Sequence, residues 1–182
     1  SKKRAQKISV LSQQKSPGVL TVKALVFHGR FPYLGYPRRY TDRDREIVDD
    51  AMKSAGVFEI ADESLAALSG GQQQKAYIAM LLAQDTDIVF MDEPITFLDI
   101  NYQLELMEII KEMKSRGKTV IMVLHDLNLA MSFSDKIIAM KNGRVVCSGE
   151  PEKIYTNNVF EDIFGIKTNY SKTEKQFFFR RE

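Results

Sequence analysis

Two rhythms divide the chain. From Ser69 onward, stretches with apolar residues three and four apart alternate with short continuous apolar runs, the pattern of helices alternating with buried strands. The spacing predicts a helix from about Gly71 to Gln84 and a strand from Asp87 to Met91. A second helix runs from about Asn101 to Arg116, with Tyr102, Leu106, Ile109 and Met113 on one face. Gly117 ends it as a C-cap glycine. The next run, Thr119 to Leu124, is apolar at nearly every position, as expected of a central parallel strand covered on both faces. A short helix follows His125. Two strands, Lys136 to Met140 and Arg144 to Ser148, then meet at an Asn142-Gly143 hairpin turn, and two short helices and a mixed tail close the pattern.

Before Ser69 the pattern is shorter and more broken. Ile8 to Leu11 reads as a strand, followed by a polar turn whose Pro17-Gly18 is a strong breaker. Thr21 is placed to cap a short helix through about His28. Gly29 to Pro37 is aromatic and punctuated by Pro and Gly, so no regular element is expected there. Thr41 with Asp44 three residues on resembles a capping box and opens a charged helix to about Ala55. The main body is therefore α/β with a doubly wound parallel sheet, preceded by a small helical insertion around residues 18–67.

Composition narrows the class without naming a function. The chain has 182 residues, 44% hydrophobic and 27% charged, which fits one globular domain and excludes disorder, collagen-like repeats and coiled coil. A net charge of +2 argues against nucleic acid as the main partner. The early cluster Lys2, Lys3, Arg4 and Lys7 reads as a solvated face. Cys147 has no second cysteine to pair with inside the chain, which suits a reducing compartment. Val120 to Leu124, the longest aliphatic run, is far short of the ~20 residues a membrane-spanning helix needs, so no direct membrane insertion is expected. Ser1 opens the sequence almost directly before a strand, and the expectation is a chain entered part-way through.

In an open parallel sheet, reactive groups gather beyond the carboxyl ends of the strands. Those ends deliver Asp92-Glu93 after Ile88 to Met91, His125-Asp126 after Val120 to Leu124, and Gln13 after Ile8 to Leu11. Two adjacent carboxylates, a histidine and a glutamine suit metal-assisted attack of water on a phosphate. One carboxylate can hold Mg²⁺, the other can orient or deprotonate water, and the histidine can meet the charge developing on the γ-phosphate. Taken alone, Asp92-Glu93 after a strand is more often merely a cap for the turn into the next helix. It is not alone. Leu68-Ser69-Gly70-Gly71-Gln72 stands upstream at a helix start, where a hydroxyl, two glycines and exposed amides together can approach an anion.

The sequence resembles the nucleotide-binding subunits of ABC transporters along essentially its whole length. Leu68 to Gln72 resembles the signature loop, Ile88 to Asp92 with Glu93 the Walker B strand and its glutamate, and Phe97-Leu98-Asp99 the D-loop. His125 is similar to the switch histidine and Gln13 to the Q-loop glutamine. The resemblance implies a P-loop NTPase-like parallel-sheet core with a small helical subdomain. Residues 1–17 would end the first part of the core, 18–84 would form the helical signature subdomain, and 85–182 would supply the rest. It also implies ATP and Mg²⁺ as ligands. Glu93 would be the general base, Asp92 and Gln13 would act on Mg²⁺, and His125 would contact the γ-phosphate. Ser69, Gly70, Gly71, Gln72 and Asp99 would serve nucleotide held between two subunits in a head-to-tail dimer. The departures are Ser12, Ile95 and Lys75, where proline, threonine and arginine are common, and none removes a catalytic group.

A narrower likeness lies in Gly29-Arg30-Phe31-Pro32, in Gln84-Asp85-Thr86 and in Phe97 to Gln103, which resemble the branch serving iron–siderophore, haem and vitamin B12 importers. It implies a peripheral subunit on the cytoplasmic face of the membrane. A permease would then dock near Gln13 and the stretch from Arg30 to Tyr36, although Phe31 and Tyr33 could instead pack a local core. The family also uses a phosphate-cradling loop, G-x-x-x-x-G-K-[ST]. Gly117-Lys118-Thr119 cannot be it, because Glu112 stands where the first glycine belongs and a helix, not a strand, precedes it. Gly117 is read as a helix end and Lys118 as solvated. The family places that loop before the strand that opens this chain, so the expectation is an N-terminal part of the fold missing from residues 1–182, and a chain that alone neither holds nor hydrolyses ATP. Two other readings stand beside this one. A DNA-maintenance ATPase lobe of the structural-maintenance or Rad50-like kind shares several motifs but would enter the signature through a long heptad coiled coil. A non-catalytic permease-docking module would need neither Glu93 nor His125.

Overall fold

Thr21 begins the first long-range helix as its side chain predicts. In the computed structural model, which describes residues 2–12, 19–96, 98–156, 159–171 and 176–181, its hydroxyl accepts a hydrogen bond from the Ala24 amide at 3.2 Å. The helix it caps, α2 (Val22–His28), follows a short α1 (Lys2–Ala5) and strand β1 (Ile8–Leu11). Helix α3 (Asp42–Ser54) opens on the predicted capping box, with Asp44 N–H donating to Thr41 Oγ1 and Thr41 N–H donating to Asp44 Oδ2. Helix α4 (Gly70–Gln84) packs against both α2 and α3. Together they bury Val22, Val26, Val48, Met52, Leu65 and Ala76, each at most 1% exposed. The stretch expected to be irregular contains a 3₁₀ turn at Phe31–Tyr33, with Pro32 fitting its first turn.

Strand β2 (Ile88–Asp92), helix α5 (Ile100–Ser115) and strand β3 (Thr119–Val123) complete the first of two units, Ser1–Val123. The strands form a parallel sheet in the order β1-β2-β3, with Val10 level with Phe90 and Phe90 level with Ile121. One face is packed, burying Ser9, Leu11, Val89 and Met91, with the Ser9 and Thr86 hydroxyls hydrogen-bonded at 2.8 Å. Helix α5 turns Leu106, Met107, Ile110 and Met113 inward, a wider stripe than the one expected, with Tyr102 and Ile109 half-buried at its margin.

Two expectations are corrected here. The central strand is β2. Among the described residues β3 lies at the sheet's edge, and Ile121 and Val123 on its outer face are 44% and 51% exposed. Its continuous apolar run reflects an inward face plus an uncovered one, since a period-two strand shows alternate residues to opposite sides. Lys118 is not solvated either. Its ammonium reaches Asp85 Oδ1 at 2.7 Å and the Thr86 carbonyl at 3.1 Å, tying the start of β3 to the start of β2. Gly117 does sit just past the helix end with φ +79, in the left-handed region a glycine tolerates.

The second unit, Leu124–Glu182, begins with α6 (Leu127–Phe133), capped by Asp126 Oδ1 on the Leu129 amide at 3.0 Å. Strands β4 (Ile137–Lys141) and β5 (Arg144–Gly149) form the expected hairpin, and Asn142 and Gly143 both take positive φ as its tight turn requires. Helices α7 (Pro151–Thr156) and α8 (Val159–Phe164) follow, and the tail is an antiparallel pair, β6 (Ile166–Ser171) and β7 (Gln176–Arg181). Met131, Ala139, Ile154, Phe160 and Ile163 form the core of this unit.

Candidate functional site

Strand β2 ends on Asp92, which is exposed, and the chain then turns sharply at Glu93. Glu93 has φ +48, a left-handed conformation that a non-glycine residue adopts only when its surroundings impose it. Those surroundings are visible. Its amide donates to the Val123 carbonyl at 3.2 Å, joining the ends of β2 and β3. Its own carbonyl accepts from the Thr96 amide at 3.3 Å, closing a four-residue turn, and the Thr96 hydroxyl donates to Glu93 Oε2 at 3.1 Å. Ile95, buried at 6% exposure, anchors the turn. A half-buried carboxylate is thus held beyond the carboxyl end of the central strand, where the sequence expected reactive groups.

The Ser69 turn is built on a second capping box. Gln72 N–H donates to Ser69 Oγ at 3.3 Å, and Ser69 N–H donates to Gln72 Oε1 at 3.1 Å. A side chain at Gly70 would meet nothing within 4 Å, so the backbone there is open to approach. Gly71 is closed on one side. A Cβ there would lie 2.9 Å from a Tyr102 ring carbon. Gln74, one turn further along α4, donates to the Pro94 carbonyl at 2.6 Å and so fastens this helix to the Glu93 turn. The Ser69–Gln72 and Asp92-Glu93 segments thus lie on one unit, with α4 fastened to the Glu93 turn through the Gln74–Pro94 hydrogen bond.

Asp99 stands as the N-cap of α5, its Oδ1 accepting from the Asn101 and Tyr102 amides at 3.0 and 3.1 Å. His125 is exposed and lies in the second unit, just before the cap of α6. Gln13 and Phe97 lie outside the described residues. Thr96, Gln74 and Tyr102 were not read from the sequence as site residues. The Glu93-to-Thr96 spacing is that of a β-turn and could have signalled the first, whereas Tyr102 was placed on one face of α5 and within the Phe97 to Gln103 stretch without a role of its own.

Arg30 departs from the expectation that it faces a partner. It is 6% exposed, with Nε on Asp44 Oδ1 at 2.9 Å, Nη1 on the Ala83 carbonyl at 2.8 Å, and its guanidinium 3.9 Å above the Tyr33 ring. The last carbonyls of α4 have no partner within the helix, and Arg30 and the Tyr33 hydroxyl (2.7 Å from Gln84 O) satisfy two of them. Burial works to raise the pKa of Asp44. The hydrogen bonds from Thr41 and the hydrogen bond and charge of Arg30 outweigh it and hold the carboxyl below its ordinary value. Phe31 remains 47% exposed and Tyr36 fully so. Phe31 helps line an open groove of ≈ 520 Å³ with Lys23, Phe27, His28, Tyr40 and Arg45.

Among the described residues no group of three or more His, Cys, Asp or Glu side chains could hold a metal ion. Mg²⁺ needs no such cluster, since it usually keeps its waters and takes one or two carboxylates together with substrate phosphates. Asp92 supplies one such exposed carboxylate.

Over residues 1–96 the sequence matches the family profile described as ABC transporter. It is 42% identical over 169 residues to the ferric enterobactin transport ATP-binding protein FepC of Escherichia coli (strain K12), covering 92% of this chain and 62% of that protein. It is 39% identical over 172 residues to the petrobactin import ATP-binding protein FpuD of Bacillus anthracis, covering 93% and 63%. The chain thus spans less than two thirds of the length of these relatives. Among solved structures, a metal-chelate type ABC transporter in an inward-facing conformation matches with a TM-score of 0.82 at 22% identity, over 96% of this chain and 70% of that one, a likeness of fold. A dimeric bacterial ABC transporter cassette matches with a TM-score of 0.71 at 31% identity, over 82% and 65%. The DNA-maintenance reading gains nothing from these matches. The parallel sheet with its helical layer is the expected P-loop NTPase-like architecture, and the chain belongs to the ABC transporter family.

Proposed function

We propose that the protein is the ATP-hydrolysing subunit of an importer for iron(III)–siderophore or a related iron chelate. Glu93 carries the reading: a carboxylate in a strained backbone conformation, fixed at the end of the central strand beside the exposed Asp92. Glu93 takes a proton from water as the water oxygen attacks the γ-phosphorus, and the bond to the β–γ bridging oxygen breaks to release ADP and phosphate. Asp92 and Gln13 would hold Mg²⁺ beside the nucleotide, and His125 would meet the charge on the γ-phosphoryl oxygens. That Mg²⁺ would supply neutralisation of phosphate charge. The Ser69, Gly70, Gly71 and Gln72 backbone, at the start of a 15-residue helix, offers amides and a positive helix end to nucleotide held by a second subunit, with Asp99 nearby.

The head-to-tail dimer associates with permease subunits on the cytoplasmic face of the membrane, and no described helix is long and apolar enough to cross it. Phe31, Tyr36 and the groove beside α2 are the docking surface, with Arg30 holding that surface in place from within. Residues 18–84 form the helical subdomain and 85–182 continue the core that 1–17 ends. Iron-chelate import is supported by the names of the relatives, FepC and FpuD. The test is Glu93→Gln in the full-length protein reconstituted with its permease. ATP turnover should fall by about 10²-fold or more while nucleotide still binds. Turnover equal to the unaltered protein would refute the assignment.

A further inference from the structure

Tyr102 touches both of the segments assigned to nucleotide, and no sequence motif gives it a role there. Its amide donates to Asp99 Oδ1 at 3.1 Å, so its backbone belongs to the cap of α5. Its ring lies under the start of α4, where Cδ2, Cε2 and Cγ would all come within 3.0 Å of a Cβ on Gly71. Any side chain at Gly71 would therefore have to displace the ring beneath it. The Lys75 ammonium sits 4.6 Å from the ring centroid and pairs with Glu105, one turn beyond Tyr102 on α5. Lys75 is itself one turn beyond Gly71 on α4, so ring, cation and carboxylate form one contact between the two helix starts.

We propose that Tyr102 is a positioning residue that sets the spacing between the Ser69–Gln72 turn and Asp99, so that both meet nucleotide in one geometry when two subunits close. The inference rests on the ATPase reading above. An aromatic ring is suited to the task because it is flat enough to pass under a glycine and rigid enough to hold the distance. Displacements of an ångström at such a place are enough to cost about 10²-fold in rate.

The experiment compares Tyr102→Leu and Tyr102→Phe in the full-length, permease-bound protein. Tyr102→Leu should lower kcat about tenfold and weaken ATP-dependent dimerisation, while labelled-ATP affinity of the isolated subunit stays within about twofold. Tyr102→Phe, which keeps both ring and amide, should match the unaltered protein in every readout. Tyr102→Leu with unchanged kcat and dimerisation overturns the proposal, and so does an equal loss of nucleotide affinity, which would mark general damage. If Tyr102→Leu does not fold, Lys75→Met decides, with kcat expected to fall about threefold; no change overturns the proposal. Glu93→Gln run alongside separates the two levels. Full turnover by that variant breaks the ATPase reading itself, whereas a silent Tyr102→Leu beside an inactive Glu93→Gln sinks only the role of Tyr102.

Discussion

The helical region and the three-stranded sheet of the first unit solve the same problem differently. The helices close on themselves: Val22, Val26, Val48 and Met52 are fully buried, and the polar groups among them are paired, Arg30 with Asp44 and with the last turn of α4. Among the described residues the sheet is packed on one face only. Val10, Phe90, Ile121 and Val123 on the other are between 38% and 63% exposed, a contiguous apolar row across the strands. The Ser69 turn thus stands on a scaffold that supplies its own packing, whereas Glu93 stands at the end of a strand covered from one side. Local bonds compensate at Glu93. Val123, Thr96 and, through Pro94, Gln74 hold a turn that sheet packing alone leaves half-supported.

The sharpest way to break this contrast is to open the closed half. Arg30→Ala removes one partner of a buried ion pair and leaves Asp44 charged in a site where its carboxylate is 9% exposed. It also strips the Ala83 carbonyl of its donor. Breaking a buried pair from one side costs about 3–5 kcal/mol, read as a fall in the urea midpoint with the slope unchanged. A loss below about 1 kcal/mol would mean that the helical region does not depend on this clamp.

The same pair makes a smaller, pH-dependent prediction. Asp44 has a folded-state pKa below its ordinary value, so its contribution is fully present above the unfolded aspartate value of about 3.9 and is lost as pH falls through the lower folded one. Stability of the unaltered protein should therefore fall with pH inside that window, between the two values, and this contribution should level off below it. Asp44→Asn should flatten this limb of the stability curve. An Asn variant with the same acid dependence would show that other carboxylates carry it.

How much of this was legible depends on whether a signal is local. The Thr41/Asp44 capping box was readable because the partners are three residues apart and the chemistry is complete within one turn, whereas at Ser69 only the hydroxyl at the helix start was read and Gln72 as its reciprocal partner was not. The Asn142-Gly143 hairpin was readable for the same reason as the Thr41 box. The inward turn of Arg30 was not, since Asp44 and Ala83 lie 14 and 53 residues away and an Arg beside aromatics looks like an interface anchor until they are placed. The Lys118–Asp85 pair spans 33 residues and was likewise invisible. The apolar run of β3 misled about its place because composition records how many sides are hydrophobic and not how many are covered. In the candidate site, Asp92, Glu93 and Ser69 to Gln72 were singled out from motif and strand end. The ring under Gly71 was hidden, because a Tyr at helical spacing reads as core.

The weakest effect tests the open half. Ile121→Thr keeps a β-branched residue in β3, and so keeps the backbone preference of the strand, while removing apolar surface that is 44% exposed. Because so little packing is lost, stability should stay within about 0.5 kcal/mol of the unaltered protein. Self-association at high concentration should fall, since the row through Val10, Phe90 and Ile121 is interrupted at the sheet edge. Urea unfolding and light scattering measure the two quantities on one sample. A loss of 2 kcal/mol or more, about what a buried isoleucine would cost, would mean that this face is covered in solution and that the sheet is as closed as the helices.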